Sequence, residues 1–84
     1  MYANRRDANE REIIAALERA GCVVDRVERR PYDLVVGRGY QNFLLECKAK
    51  KGALRASQTQ FQRRWFGQYA VVRSPEEALR AVGL

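Results

Sequence analysis

The run FLLECKAK at 43–50 is followed by a helix-period segment, SQTQFQRRWF at 57–66, and then by a second β-branched run, QYAVVR at 68–73. A strand that reaches the next strand through a helix must cross over the sheet, so these two strands are expected to be parallel. Upstream, CVVDRV at 22–27 and YDLVVG at 32–37 read as two further strands. GRGYQN at 37–42 is turn sequence, which makes the second and third strands an antiparallel pair. The sheet is therefore expected to be mixed and four-stranded.

Helices complete the pattern. DANEREIIAALERA at 7–20 places Ile13, Ile14, Leu17 and Ala20 at helical spacing and is stopped by Gly21, with Asp7 expected as N-cap and Glu10 in the position of a capping-box partner. Ser57 is expected to cap the second helix, on which Gln58, Phe61, Gln62 and Trp65 share a face, with Phe61 and Trp65 read as core. SPEEALRAVG at 74–83 has Ser74 as N-cap, Pro75 at the first helical position and Gly83 near its stop. The order is α-β-β-β-α-β-α over 1–84, an α/β (α+β) chain read as one domain without linker or repeat.

With 84 residues, the chain can bury only a few layers of side chains, which argues against a large enclosed active-site cavity. Sixteen Lys plus Arg against 10 Asp plus Glu give +6, a balance suited to a polyanionic partner such as nucleic acid. No apolar run is long enough to span a membrane. MYANRRDANE lacks the apolar stretch of a signal peptide, so the expected location is the cytoplasm, with Cys22 and Cys47 reduced. The sequence has no histidine, which excludes Cys-His and Ser-His pairs and makes a usual structural zinc site untenable. Chemistry, if present, must run on carboxylates, lysine and a hard metal ion.

Alternation along the third strand sends Leu44, Glu46 and Lys48 to one face and Phe43, Leu45 and Cys47 to the other. Both faces then carry apolar residues, so helices are expected on both sides. A carboxylate and a lysine on a covered face need a partner, a metal or a cleft, since an unpaired buried charge is costly. Asp33 begins the strand that pairs with this one, and the hairpin can bring its carboxylate beside Glu46. Two converging carboxylates repel unless a cation joins them, and Mg²⁺ takes oxygen ligands from one or two carboxylates plus water. Lys48 would orient or deprotonate that water.

The runs NEREIIAALERAG, PYDLVVG, FLLECK, SQTQF and YAVVRSPEEAL, taken in that order from about Asp7 to Leu79, resemble the PD-(D/E)xK nuclease superfamily. Within it they resemble the VRR-NUC branch, in particular its small stand-alone phage and bacterial members. Tyr32 separates Pro31 from Asp33, a departure from the superfamily's Pro-Asp order. The resemblance implies a restriction-endonuclease-like αβββαβ core with a short C-terminal helix. It makes Asp33 and Glu46 metal ligands, with the backbone carbonyl of Cys47 a further ligand, and Lys48 the residue that positions the attacking water. Glu10 matches the family's extra acidic residue, the capping box with Asp7 being its other reading. Gln58 matches the family's glutamine, with Gln62 the next candidate on that face. Cys47 itself is read as a core residue facing away from the site.

Lys50, Lys51 and Arg55 are expected at the rim for DNA phosphates, with Arg5, Arg6, Arg63 and Arg64 as further candidates. The expected function is a Mg²⁺-dependent DNA endonuclease, with Mn²⁺ able to substitute, that leaves a 5′-phosphate and selects branched or Holliday-junction-like DNA. The resemblance also implies a homodimer in a bacterial or phage-infected cell, with no small-molecule cofactor. Trp65, Phe66, Tyr69, Val82 and Leu84 are the apolar residues expected to be exposed for pairing. The alternative is a non-catalytic nucleic-acid-binding module that retains the nuclease fold.

Overall fold

A computed structural model describes residues 9–28 and 31–84 of the chain. Among the described residues the order is α1 (Glu10–Arg19), β1 (Val23–Arg26), β2 (Leu34–Arg38), β3 (Gln41–Cys47), α2 (Ala56–Arg64), β4 (Tyr69–Val72) and α3 (Pro75–Ala81). The strands lie side by side in chain order. β1 and β2 are antiparallel, as are β2 and β3, whereas β3 and β4 are parallel. This is the mixed α+β sheet that the crossover requires, flanked by three helices.

Helix α1 forms because Ile13, Ala16 and Leu17 make a buried stripe. It ends at Gly21, whose φ of +95° suits a residue without Cβ. There the Cys22 N–H reaches the Leu17 carbonyl and the Gly21 N–H reaches that of Glu18, both at 3.0 Å. This paired closure satisfies carbonyls that the helix end would leave open. Helix α3 ends the same way, with Leu84 N–H to Leu79 at 2.8 Å and Gly83 N–H to Arg80 at 3.0 Å. Its start is as expected: Ser74 Oγ accepts from the Glu77 N–H at 3.1 Å and Pro75 opens the helix.

The other two helix starts differ from expectation. Helix α1 begins at Glu10 with Asn9 at the N-cap, and the predicted cap Asp7 lies outside the described residues. Helix α2 is capped at Arg55 and not at Ser57, which lies inside the helix. The Gln58 side chain closes this start, its Oε1 accepting from the Arg55 N–H at 2.8 Å. The helix also stops earlier, at Arg64, and Trp65 turns into extended backbone (ψ 125°).

The turn between β2 and β3 is tighter than GRGYQN suggests. Arg38 pairs with Gln41, leaving Gly39 and Tyr40 as a two-residue loop, both with positive φ (58° and 64°). This is the backbone that fits the right-handed twist of a hairpin.

One face of the sheet carries Leu34, Val36, Phe43, Leu45, Cys47 and Val72, which pack with Ile13 and Leu17 of α1 and with Ala78 and Val82 in and just after α3. Truncating a fully buried member such as Leu17 or Leu45 would cost about 2–5 kcal/mol. The opposite face carries Leu44, Glu46 and Tyr69. Helix α2 meets it through Gln58, hydrogen-bonded to Glu46, and Phe61, whose ring centroid is 5.1 Å from that of Tyr69. Helices thus lie on both faces, as the strand alternation requires. Among the described residues, no helix is long and apolar enough to cross a membrane.

Candidate active site

Register builds the centre of the site. Leu34 opposes Leu45, so Asp33, one residue earlier, falls beside Glu46 at the same end of the sheet. Backbone bonds extend the ladder past the strand: Asp33 N–H donates to Leu45 at 2.8 Å, and Val27 N–H donates to the Asp33 carbonyl at 2.7 Å. The Asp33 carboxylate then turns onto β3, its Oδ2 accepting the Cys47 N–H at 2.8 Å. A backbone donor to a carboxylate is a charge-assisted bond that fixes the side chain's direction.

Helix α1 delivers Glu10 to the same place. Glu10 is only 4% exposed, and its Oε2 accepts from Arg26 Nε at 3.0 Å. Carboxylate oxygens of Glu10 and Asp33 and the Sγ of Cys47 all lie within 4.8 Å of one another. The Cys47 side chain is thus not remote from the site, although it is buried in the core cluster as expected. Alternation sends it to the core face, and α1 brings Glu10 down onto that face at the sheet's end.

Glu46, 2% exposed, has its own partners. Its Oε2 accepts from Gln58 Nε2 at 2.7 Å and lies 3.5 Å from Lys48 Nζ. The Lys48 side chain is nearly covered, so this pair is screened far less than a surface one. Two groups result, Glu10 of α1 with Asp33 before β2, and Glu46 and Lys48 at the end of β3 with Gln58 of α2, and the strand register sets Asp33 opposite Glu46 between them. Among the described residues, Arg26 pairs with Glu10 and Lys48 with Glu46, offsetting part of the carboxylate charge.

Lys50, Lys51, Arg55, Arg63 and Arg64 are exposed, whereas Arg5 and Arg6 lie outside the described residues. Gln62, the next glutamine on α2, is also exposed, whereas Gln58 is buried and bonded to Glu46.

Three of the aromatic and apolar expectations change. Trp65 is 40% exposed and stacks on Phe61 at 5.0 Å and does not join the core, because the helix ends before it. Val82 and Tyr69, both expected to be exposed for pairing, are fully buried and half-buried respectively, while Phe66 and Leu84 are exposed.

Three contributors escape a reading of the sequence. Tyr69 is the first: burial, reinforced by the charges of Glu46 and Asp33, pushes its phenol up to about 12. It is a neutral group beside the carboxylates at ordinary pH. Its place follows from the parallel register with Leu44, two residues from Glu46 on the same face. The second is Asn9, whose Nδ2 donates to the carbonyls of Lys48 at 2.8 Å and Arg73 at 2.9 Å. The third is Arg73, whose Nη1 donates to the carbonyls of Ala49 and Gly52, both at 2.7 Å. Asn9 and Arg73 together hold the backbone that leaves the site at Lys48.

The donor set suits a hard cation. Ligand oxygens around Mg²⁺ at about 2.1 Å stand about 3–4 Å apart; the Glu10 and Asp33 oxygens lie within 4.8 Å of each other, in a group that does not include Glu46. The Cys47 sulfur is a soft donor and adds nothing for Mg²⁺. The chain matches no protein-family model, no curated protein and no solved structure.

Proposed function

We propose that the chain is a Mg²⁺-dependent endodeoxyribonuclease of the VRR-NUC branch of the PD-(D/E)xK superfamily. The observation that carries this reading is the position of Asp33. Its carboxylate is locked on the Cys47 N–H, within 4.8 Å of Glu10 oxygen, and sits next to a buried Glu46–Lys48 pair. A scaffold with no use for these charges would gain by replacing them with apolar side chains.

Glu10 and Asp33, with Glu46 and the carbonyl of Cys47, would hold the ion. Bound there, Mg²⁺ supplies Lewis-acid charge at the phosphate and lowers the pKa of coordinated water. Lys48 orients the attacking water and stabilises charge on the phosphate oxygens. Gln58 keeps Glu46 aimed through its 2.7 Å bond without adding charge. Tyr69, held neutral, does not repel phosphate, and its hydroxyl donates to the Pro31 carbonyl at 3.5 Å. Lys50, Lys51 and Arg55 take flanking phosphates. The product would carry a 5′-phosphate, and the preferred substrate would be branched DNA cut by a homodimer in the cytoplasm of a bacterial or phage-infected cell. Exposed Phe66 and Leu84 offer apolar surface for pairing.

The second reading, a nucleic-acid-binding module without catalysis, is favoured by one feature. Glu10 and Glu46 are already paired within the protein, with Arg26 and Lys48. A cleavage panel of four-way junction, flap, nicked and linear duplex DNA, each with Mg²⁺ and with Mn²⁺, separates the two. The nuclease cuts at least one substrate with both metals. Binding without cleavage anywhere on the panel leaves the module.

A further inference from the structure

An open cleft of about 480 Å³, lined by Pro31, Arg55, Ser57, Gln58, Gln60, Phe61 and Arg64, shares Gln58 with the carboxylate site. Among the described residues no carboxylate lines it, although 10 acidic residues are spread along the chain. Arg55 precedes α2 and Arg64 ends it, so two exposed guanidinium groups border the cleft.

Its floor is aromatic. Phe61 is buried and braced by Tyr32 at 5.4 Å, Trp65 at 5.0 Å and Tyr69 at 5.1 Å between ring centroids. The Arg64 guanidinium carbon lies 5.1 Å from the centre of the Phe61 ring. An arginine held against a ring is a flat, charged surface on which a base can stack, while its N–H groups remain able to bond phosphate. Serine and glutamine side chains add neutral donors and acceptors, but nothing there reads a base edge uniquely.

We infer that this cleft is a subsite for one unpaired nucleotide of a DNA strand, its phosphate between Arg55 and Arg64 and its base against the Arg64–Phe61 surface. The volume lies in the range of small-ligand sites and is far too small for a duplex. Gln58 is common to both places, lining the cleft while its Nε2 bonds Glu46. A nucleotide seated there would be a near neighbour of the phosphate facing Lys48. The inference rests on the nuclease reading for its place along the strand, and it deepens that reading by assigning single-stranded character to the DNA next to the cut. Stacking is tolerant of base identity, so the subsite would select for lack of pairing and not for sequence.

The test reads binding and not cleavage, so it stands apart from the fate of the nuclease reading. The full chain, labelled for NMR, is titrated at low salt and without divalent metal with a thymidine hexanucleotide and, separately, with inorganic phosphate. The hexanucleotide should shift the Arg55 and Arg64 side-chain N–H signals and the Phe61 ring, and phosphate alone should leave the ring unmoved. Arg55→Ala and Arg64→Ala should each weaken hexanucleotide binding about 3- to 10-fold and lower the salt slope by about 0.7, the increment for one single-strand phosphate. Arg80→Ala, in α3, should do neither. Unchanged affinity in both cleft variants, shifts confined to Lys50 and Lys51, no binding at all, or equal ring shifts with phosphate would each overturn the subsite.

Discussion

Gln58 Nε2 donates to Glu46 Oε2 over 2.7 Å, and both side chains are buried. The other end of the same amide accepts the Arg55 N–H at 2.8 Å. One side chain thus starts helix α2 and docks it on the candidate site. Gln58→Leu removes both bonds and leaves a buried carboxylate short of a donor, so it should cost about 1–3 kcal/mol in urea denaturation. Gln58→Ser, too short to span both partners, should cost a similar amount.

Tyr69 gives the chain a pH signature. The unfolded phenol ionises near 10, whereas the folded one holds its proton to about 12. A raised folded value means that its contribution is fully present below pH 10 and is lost as pH rises through 12. With the half-exposed position screened by water, that contribution is on the order of 1 kcal/mol. Denaturation midpoints followed from neutral to strongly alkaline pH should therefore fall more steeply for the wild type than for Tyr69→Phe.

Tyr40 sits fully exposed at the hairpin tip with φ 64°. A tyrosine pays a steric cost in that region which asparagine or glycine largely avoids. Tyr40→Asn should raise stability by about 0.5–1 kcal/mol, read as a higher urea midpoint with the same slope, and should leave DNA affinity unchanged.

Asn9 ties the first helix to the backbone at Lys48 and Arg73. Asn9→Ala leaves both carbonyls without that donor and should cost about 1–3 kcal/mol. On the nuclease reading it also lets Lys48 drift, so turnover should fall while DNA affinity, set by the exposed Lys50, Lys51 and arginines, stays within about 2-fold.

The fold was legible where its signals are local or periodic. Alternation along 43–48 placed Glu46 and Lys48 on one face, the strand-helix-strand order required β3 and β4 to be parallel, and Ser74–Pro75 marked the start of α3. What could not be read was local pattern overridden by distant partners. Asn9 occupies the start of α1 because carbonyls 39 and 64 residues away take its amide. Arg55 displaces Ser57 as cap because Gln58 is held by Glu46. The helical spacing of 57–66 runs through Trp65, yet the helix ends one residue before it. At the site, the hairpin put Asp33 near Glu46, yet the approach of the Cys47 sulfur and the burial of Tyr69 depend on how α1 and α2 pack, which no spacing reports.

Lys48 is the residue on which the proposed chemistry turns, and its ammonium lies 3.5 Å from Glu46 at the end of β3. The decisive measurement compares wild type and Lys48→Ala on a branched DNA with Mg²⁺, scoring cleavage and affinity in parallel. Wild type should cut and leave 5′-phosphate ends, and the variant should bind within about 3-fold of wild type while losing at least about 100-fold in rate. Equal cleavage by the two proteins would contradict the assignment of Lys48 and, with it, the nuclease site.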